Sequence, residues 1–227
     1  MTGNDRKQLT GKLKEFIAKK DIDLFGITNK ITDEIVHKKR DIDGKSIIII
    51  GIYMIDESLD LWLEPPNWKA GKCFSDEILR AYCFEIALFL ERLGWKTQPI
   101  PYNGAYLKEI GHYAGIGKIG KNNVLVTPEF GPNIRLRAIV TEAELEPTPE
   151  SDFDPCLECE LPCIKKCPAM AFDKQKQVTP RPNSYALEPC LTYQKQNLKE
   201  VSQFSALWCQ ECIQHCKYYQ GYQESTI

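Results

Sequence analysis

Apolar residues recur at helical spacing near the start of the chain, where Leu9, Leu13, Phe16 and Ile17 stand among lysines and predict an amphipathic helix over Lys7 to Lys20. The period then changes. Ile22 to Ile27 and Ser46 to Met54 are rich in apolar and β-branched residues, are bounded by Asp, Gly and Lys, and predict strands. The unbroken Ile47-Ile-Ile-Ile50 run suits a central strand buried on both faces. The charged stretch between them, Lys38 to Asp43, reads as a solvated connector. Asp76 to Leu93 carries the strongest helical pattern: Leu79, Tyr82, Cys83, Ile86, Phe89, Leu90 and Leu93 form a wide apolar face, Asp76 and Glu77 suit its positive start, and Gly94 ends it. Residues 56 to 72, with Pro65, Pro66 and Trp68, show no period and read as a long loop. Its Trp62 and Trp68 are expected to pack on the core more than to line a ligand pocket. A helix over Tyr106 to Ala114, strands over Asn123 to Thr127 and Arg135 to Thr141, and an acidic, proline-rich linker over Glu142 to Pro155 complete the pattern. The expected fold class is α/β (α+β), with a core in 1–148 and a second domain in 149–227.

Composition narrows the function classes. A 227-residue chain that is 43% hydrophobic can bury a proper core. Its 31 acidic and 29 basic residues leave a formal charge of -2, which argues against a nucleic-acid-binding surface. The longest apolar run, Ile47 to Ile55, is about half of the roughly twenty residues a membrane span needs. With no signal-peptide pattern at the start, the expectation is a soluble, cytoplasmic protein.

Eight of the ten cysteines fall between Cys156 and Cys216. The first run is Cys156-Leu-Glu-Cys159-Glu-Leu-Pro-Cys163-Ile-Lys-Lys-Cys167-Pro168; Cys190 stands alone, and Cys209-Gln-Glu-Cys212-Ile-Gln-His-Cys216 closes the set. Three close cysteines with a fourth before proline resemble bacterial-type ferredoxins, in which the fourth cysteine serves the other 4Fe-4S cluster. On that pattern Cys156, Cys159 and Cys163 share one cluster with Cys216, and Cys190, Cys209 and Cys212 share the second with Cys167. Three residues separate Cys159 from Cys163, where the ferredoxin pattern has two. Structural zinc is an alternative, although its two-plus-two arrangement has no use for the closing Cys-Pro. A disulfide framework would need an oxidising compartment. Cys83 reads as a buried thiol, and Cys73 has no partner at ligand spacing.

Gly115-Ile-Gly117-Lys-Ile-Gly120-Lys121-Asn122 fits G-x-G-x-x-G and, except at its last position, the phosphate loop G-x-x-x-x-G-K-S/T. Both motifs require a strand before and a helix after, and here the predicted order is reversed. Two readings remain: close approach of the main chain to a bulky ligand, or a tight helix-to-strand connection.

In order and spacing, His112-Tyr-Ala-Gly-Ile-Gly-Lys-Ile-Gly-Lys121-Asn-Asn-Val-Leu, Phe130-Gly131, Ile139-Val-Thr-Glu-Ala-Glu-Leu-Glu146, the cysteine run and Glu188-Pro-Cys190-Leu-Thr-Tyr193 resemble the epoxyqueuosine reductase and reductive dehalogenase superfamily. The resemblance is strong from residue 112 to 216. It implies a nitroreductase-like core that binds base-off cobalamin, joined to a ferredoxin-like two-cluster module that feeds the cobalt with electrons. It also implies that Gly115, Gly117, Gly120 and Lys121 lie against the corrin. Epoxyqueuosine reductases carry an Asp-Ser-Ala-Pro element ahead of the glycines, whose Asp acts as proton donor; Pro101-Tyr-Asn-Gly104 stands in that place here. Tyr102, Tyr106 and His112 are then the candidate proton donors by position. The tRNA-acting relatives often continue into a helical repeat region, whereas this sequence runs eleven residues past Cys216, so a small substrate is expected rather than epoxyqueuosine in tRNA. The implied partner is an external ferredoxin or flavodoxin. The competing expectation is an electron-transfer or reactivating protein serving a corrinoid or flavin on a partner protein. Flavin in place of cobalamin in the core is a third.

Overall fold

The computed structural model describes residues 3–36, 42–63, 72–172 and 187–221. Their elements in chain order are α1 (Gly3–Ile17), β1 (Leu24–Thr28), β2 (Ser46–Tyr53), β3 (Trp62–Leu63), β4 (Lys72–Cys73), α2 (Phe74–Arg92), β5 (Thr97–Pro99), α3 (Leu107–Tyr113), β6 (Lys118–Ile119), β7 (Leu125–Val126), β8 (Ile134–Thr141), α4 (Pro162–Lys165), α5 (Leu187–Gln196), β9 (Lys199–Ser202), β10 (Ser205–Leu207) and α6 (Glu211–Gln214). Pro65, Pro66, Trp68 and most of the predicted charged connector lie outside the described residues. Among the described residues, no helix is long and apolar enough to cross a membrane.

The chain divides into two compact units, each assembled from three stretches. The first takes Met1–Tyr53, Asp76–Ile116 and Arg135–Asp152. Its sheet has the order β1-β2-β8-β5. Ile47, Ile48, Ile49 and Ile50 are each fully buried, as a strand covered on both faces requires. Each contributes roughly 1.5–3 kcal/mol by leaving water. β1 runs antiparallel to β2 with Ile27 opposite Ile48, and β5 antiparallel to β8 with Gln98 opposite Val140. Leu9, Leu13 and Ile17 of α1 are buried, as are Leu79, Cys83, Ile86 and Leu90 of α2, while Phe16 stacks on Phe89 at 4.4 Å. Leu93, expected on the buried face, is exposed because α2 ends at Arg92. α3 lies on β1 and β2. Gly26 makes this approach possible, since a Cβ there would stand 2.4 Å from the Ala114 carbonyl.

The expected linker is not loose. Ala143 and Leu145 are fully buried, and the backbone N–H groups of Leu145 and Glu146 donate to the hydroxyls of Ser46 and Thr10. Thr148 exchanges two hydrogen bonds with the Ile27 main chain, at 2.9 and 3.0 Å. The linker as far as Asp152 is therefore a strap belonging to the first unit. Alternating apolar and hydroxyl partners hold it down despite its prolines and charges.

The second unit takes Met54–Ser75, Gly117–Ile134 and Phe153–Ile227. Its larger sheet has the order β4-β3-β10-β9, and its smaller one is the hairpin β6-β7. Trp62 of β3 lies opposite both Cys73 and Ala206, so a stretch expected to be a loop supplies two strands beside one from near the C-terminal end. Met54 and Asn133 exchange main-chain and side-chain hydrogen bonds at 2.9 Å. Gly131, at φ +59°, leaves room for the Tyr218 carbonyl, and the Phe153 and Tyr218 rings meet edge to face at 5.0 Å. A single cut between 148 and 149 does not describe this division. Residues 54–75 and 117–134 supply strand partners and hydrogen bonds that the cysteine segment lacks on its own.

Candidate functional site

The eight cysteines from Cys156 onward all belong to the second unit. Cys156 sits in a turn closed by its N–H donating to Asp154 Oδ1, and the Cys159 N–H donates to the Cys156 carbonyl. Glu158 and Leu161 both adopt left-handed φ, at +54° and +56°. Such values are uncommon without glycine, and they fold the extra residue between Cys159 and Cys163 into the loop before Pro162 opens α4. Cys163 is buried on α4, Cys190 lies on α5, Cys212 lies on α6, and α4 packs against α6.

The thiols fall into two neighbourhoods. Burial pushes Cys163 up to about 11, with further upward pressure from Cys216, Cys156 and Cys159. Burial also raises Cys216, together with Cys156 and Cys159. In the other group burial raises Cys212 to about 12, followed by the influence of Cys209, Cys190, Cys167 and, last, Cys163. Cys190 is raised by burial and then by Cys167 and Cys209. By mutual electrostatic influence Cys156, Cys159, Cys163 and Cys216 form one set and Cys167, Cys190, Cys209 and Cys212 the other, with Cys163 also acting on Cys212. Among the described residues, no three His, Cys, Asp or Glu side chains converge closely enough to hold a metal ion.

Several sulfurs accept hydrogen bonds. The Lys121 main-chain N–H reaches Cys156 Sγ at 3.2 Å, the Gln194 side-chain amide reaches Cys190 Sγ at 3.2 Å, and the Ala171 N–H reaches Cys167 Sγ at 3.5 Å. Backbone N–H groups of Ile164, Glu211 and Tyr218 act on Cys163, Cys209 and Cys216. Sequence reading missed Gln194, although its place one helical turn after Cys190 was a usable signal. A cavity of about 270 Å³ opens beside Cys209, with Trp208, Tyr193, Lys199 and Glu57 among its walls.

The glycines expected against a ligand are filled by protein on their Cβ side. At Gly115, φ +73°, an added Cβ would lie 2.0 Å from the Pro149 carbonyl oxygen of the strap, and at Gly117 it would lie 2.4 Å from the Val126 carbonyl oxygen. At Gly120 it would stand 2.8 Å from Asn122 Oδ1 and 3.7 Å from Cys156 Sγ. These sides therefore offer no open cradle for a corrin. Gly115→Ala is expected to cost at least about 1–3 kcal/mol from overpacking alone, visible as a lower denaturation midpoint in urea.

The three proton-donor candidates lie in the first unit. Tyr102 opens a short 3-10 turn and is 36% exposed, Tyr106 caps the start of α3, and His112 stands in its last turn. A seven-residue helix is about 10 Å long, so Tyr106 and His112 stand at opposite ends. The buried polar feature of this unit is elsewhere. Arg137 of β8 grips Asp76 of α2 through Nε and Nη2, both at 2.8 Å, donates from Nη1 to the Ile100 carbonyl at 3.1 Å, and lies 5.7 Å from the Tyr102 ring. Burial lifts the Asp76 carboxyl above its ordinary value, with Arg137 the main opposing influence.

No protein-family model matches the chain. It is 30% identical over 138 residues to a tetrachloroethene reductive dehalogenase of Desulfitobacterium hafniense, an alignment covering 58% of this chain and 24% of that protein. It is 31% identical over 114 residues to an epoxyqueuosine reductase of Listeria monocytogenes, covering 50% of this chain and 29% of that protein. The aligned chain thus spans under a third of the length of either relative. In structure it matches epoxyqueuosine reductase from Bacillus subtilis with a TM-score of 0.66 at 18% identity, covering 94% of this chain and 66% of that one. A catabolic reductive dehalogenase in complex with 3-bromo-4-hydroxybenzoic acid also gives 0.66, at 20% identity, covering 93% of this chain and 32% of that one. A further epoxyqueuosine reductase neighbour is bound to a modified tRNA stem loop. The chain has the α/β fold of these two groups of reductases, and in sequence as in fold it is similar to the epoxyqueuosine reductase and reductive dehalogenase superfamily.

Proposed function

We propose that the chain is an iron–sulfur reductase whose two 4Fe-4S clusters deliver single electrons to a cobalamin that reduces a small substrate. The observation that carries this reading is the sorting of eight thiols into two neighbourhoods of four, most of them supplied with N–H donors. Cys156, Cys159, Cys163 and Cys216 would hold one cluster, and Cys167, Cys190, Cys209 and Cys212 the other. The donor set fits: tetrahedral zinc needs its four ligands within about 2.3 Å of one ion, whereas a cubane takes its thiolates at four separate irons and accepts a wider spacing. When bound, the clusters supply one-electron transfer at a potential set by charge, exposure and hydrogen bonds to sulfur.

The chain's own residues do the rest. The Lys121 N–H and the Gln194 amide place positive dipoles on the sulfurs of Cys156 and Cys190, which favours added negative charge there. The cavity beside Cys209 leaves one thiol approachable by an external ferredoxin or flavodoxin. Tyr102, exposed and with its ring 5.7 Å from the Arg137 guanidinium, would be the group that gives up a proton from its phenol oxygen. For cobalamin the support is the fold and the relatives, because the three glycines offer no cradle on their Cβ sides. That observation, with Pro101-Tyr-Asn-Gly104 standing where an acid was expected, favours a second reading: an electron-transfer or reactivating protein serving a corrinoid or flavin on a partner.

Anaerobic reconstitution with iron and sulfide is expected to give about eight irons per chain, and added cobalamin is expected to change the visible spectrum. Iron without a cobalamin or flavin response leaves the second reading in place. A chain that takes up no iron rejects both.

A further inference from the structure

The glycine-rich segment that imitates a phosphate loop is not explained by a phosphate or by a corrin. Its last residues form a tight turn in which the Gly120 N–H donates to the Val124 carbonyl and the Asn123 N–H donates back to the Gly120 carbonyl, both at 2.9 Å. Asn123 takes a left-handed φ of +60°. From this turn two groups point in different chemical directions. The Lys121 main-chain N–H donates to Cys156 Sγ, and the Asn122 side-chain amide donates to the Cys212 carbonyl at 2.8 Å. Asn122 is 3% exposed, and its Oδ1 accepts the Val124 N–H at 3.3 Å, so both ends of the buried amide are used. Gly120 is what lets the turn lie there, because a side chain would meet Asn122 Oδ1 at 2.8 Å.

We propose that the Gly120–Val124 turn braces the two cysteine neighbourhoods against each other, and that Asn122 is the positioning residue that holds the Lys121 N–H on the Cys156 sulfur. The inference rests on the two-cluster reading for its redox consequence. The brace itself is a property of the polypeptide. Asn122 touches no cluster atom; it acts by fixing the turn to α6 through the Cys212 carbonyl and so aims the neighbouring amide. An N–H donor on a cluster sulfur favours the reduced, more negative state. Weakening it therefore lowers the potential of the cluster on Cys156.

The test uses the full chain, wild type and Asn122→Ala. Redox titration of the reconstituted proteins, followed by electron paramagnetic resonance, is expected to show the Cys156 cluster about tenfold harder to reduce in Asn122→Ala, about 59 mV for one electron. Hydrogen exchange on the metal-free chains supplies a readout that needs no cluster: the Lys121 amide is slow in the wild type and at least tenfold faster in Asn122→Ala. An iron-loaded Asn122→Ala with unchanged potentials overturns the positioning role. Fast Lys121 exchange in the wild type overturns the brace. A wild type that exchanges slowly at Lys121 yet takes up no iron sinks the two-cluster reading and leaves the brace standing. Should Asn122→Ala fail to fold, Asn122→Ser, which keeps an acceptor for the Val124 N–H without reaching Cys212, is titrated instead against the same expectation.

Discussion

Cys216→Ser is expected to remove one cluster and spare the other, reducing iron from about eight to about four atoms per chain. The lost cluster is the one held at the opposite end of the cysteine segment, by Cys156, Cys159 and Cys163. The reason lies in how the short helices pack. α4 carries Cys163 and packs against α6, and the thiols that act on Cys163 are Cys216, Cys156 and Cys159, while those that act most on Cys212 are Cys209, Cys190 and Cys167. Cys209→Ser is the converse experiment and is expected to leave the signal of the Cys156 cluster intact. The two single variants should therefore abolish different paramagnetic signals. If both abolish the same one, each run serves its own cluster and the cross-over is wrong.

Arg137→Ala is expected to destabilise the first unit by about 3–5 kcal/mol, because it strands a carboxylate that has little access to water. That is a large share of the roughly 5–15 kcal/mol that holds a typical domain together. Asp76→Ala should cost a similar amount by stranding the guanidinium, and the double variant should cost much less than the sum of the two, since neither charge is then left alone. Urea unfolding followed by circular dichroism measures all three. Additive losses would show that the pair contributes nothing as a pair. The carboxyl also makes a prediction about pH. Its native value lies above its unfolded one because burial outweighs Arg137, so the native state binds the proton more tightly. This group's contribution is fully favourable below the unfolded value near 3.8 and is lost as pH rises through the native value. Asp76→Asn should accordingly flatten that part of the stability profile.

Much of the framework was readable from local pattern. The Ile47–Ile50 run, the apolar faces of α1 and α2, and the crowding of eight cysteines each announce themselves within a short window, because burial on a strand or helix imposes a period on neighbouring residues. What escaped depends on residues far apart in the chain. β3 and β4 are too short to show a period, and they exist because β10 offers an edge some 140 positions later. Asp76 looked like a residue suited to a helix start, and nothing near it in sequence points to Arg137. The strap from Ala143 to Thr148 was hidden by its composition, since prolines and acids advertise a linker while its hydroxyl and main-chain partners lie in β1, β2 and α1. The glycines were visible, yet their task was not: whether a missing Cβ makes room for a ligand or for a carbonyl such as that of Pro149 is decided only by what comes to rest beside it.

The threefold interleaving of each unit bears on how the molecule is born. A ribosome releases β3 long before β10, so that strand lacks one of its two sheet neighbours until nearly the whole chain has been translated. During that interval the nascent polypeptide is exposed to chaperones and to oxidation of its first thiols. Closure of the β4-β3-β10-β9 sheet is therefore a late event, and a chain that stops ahead of Ser205 leaves Trp62 and Leu63 without their β10 partners.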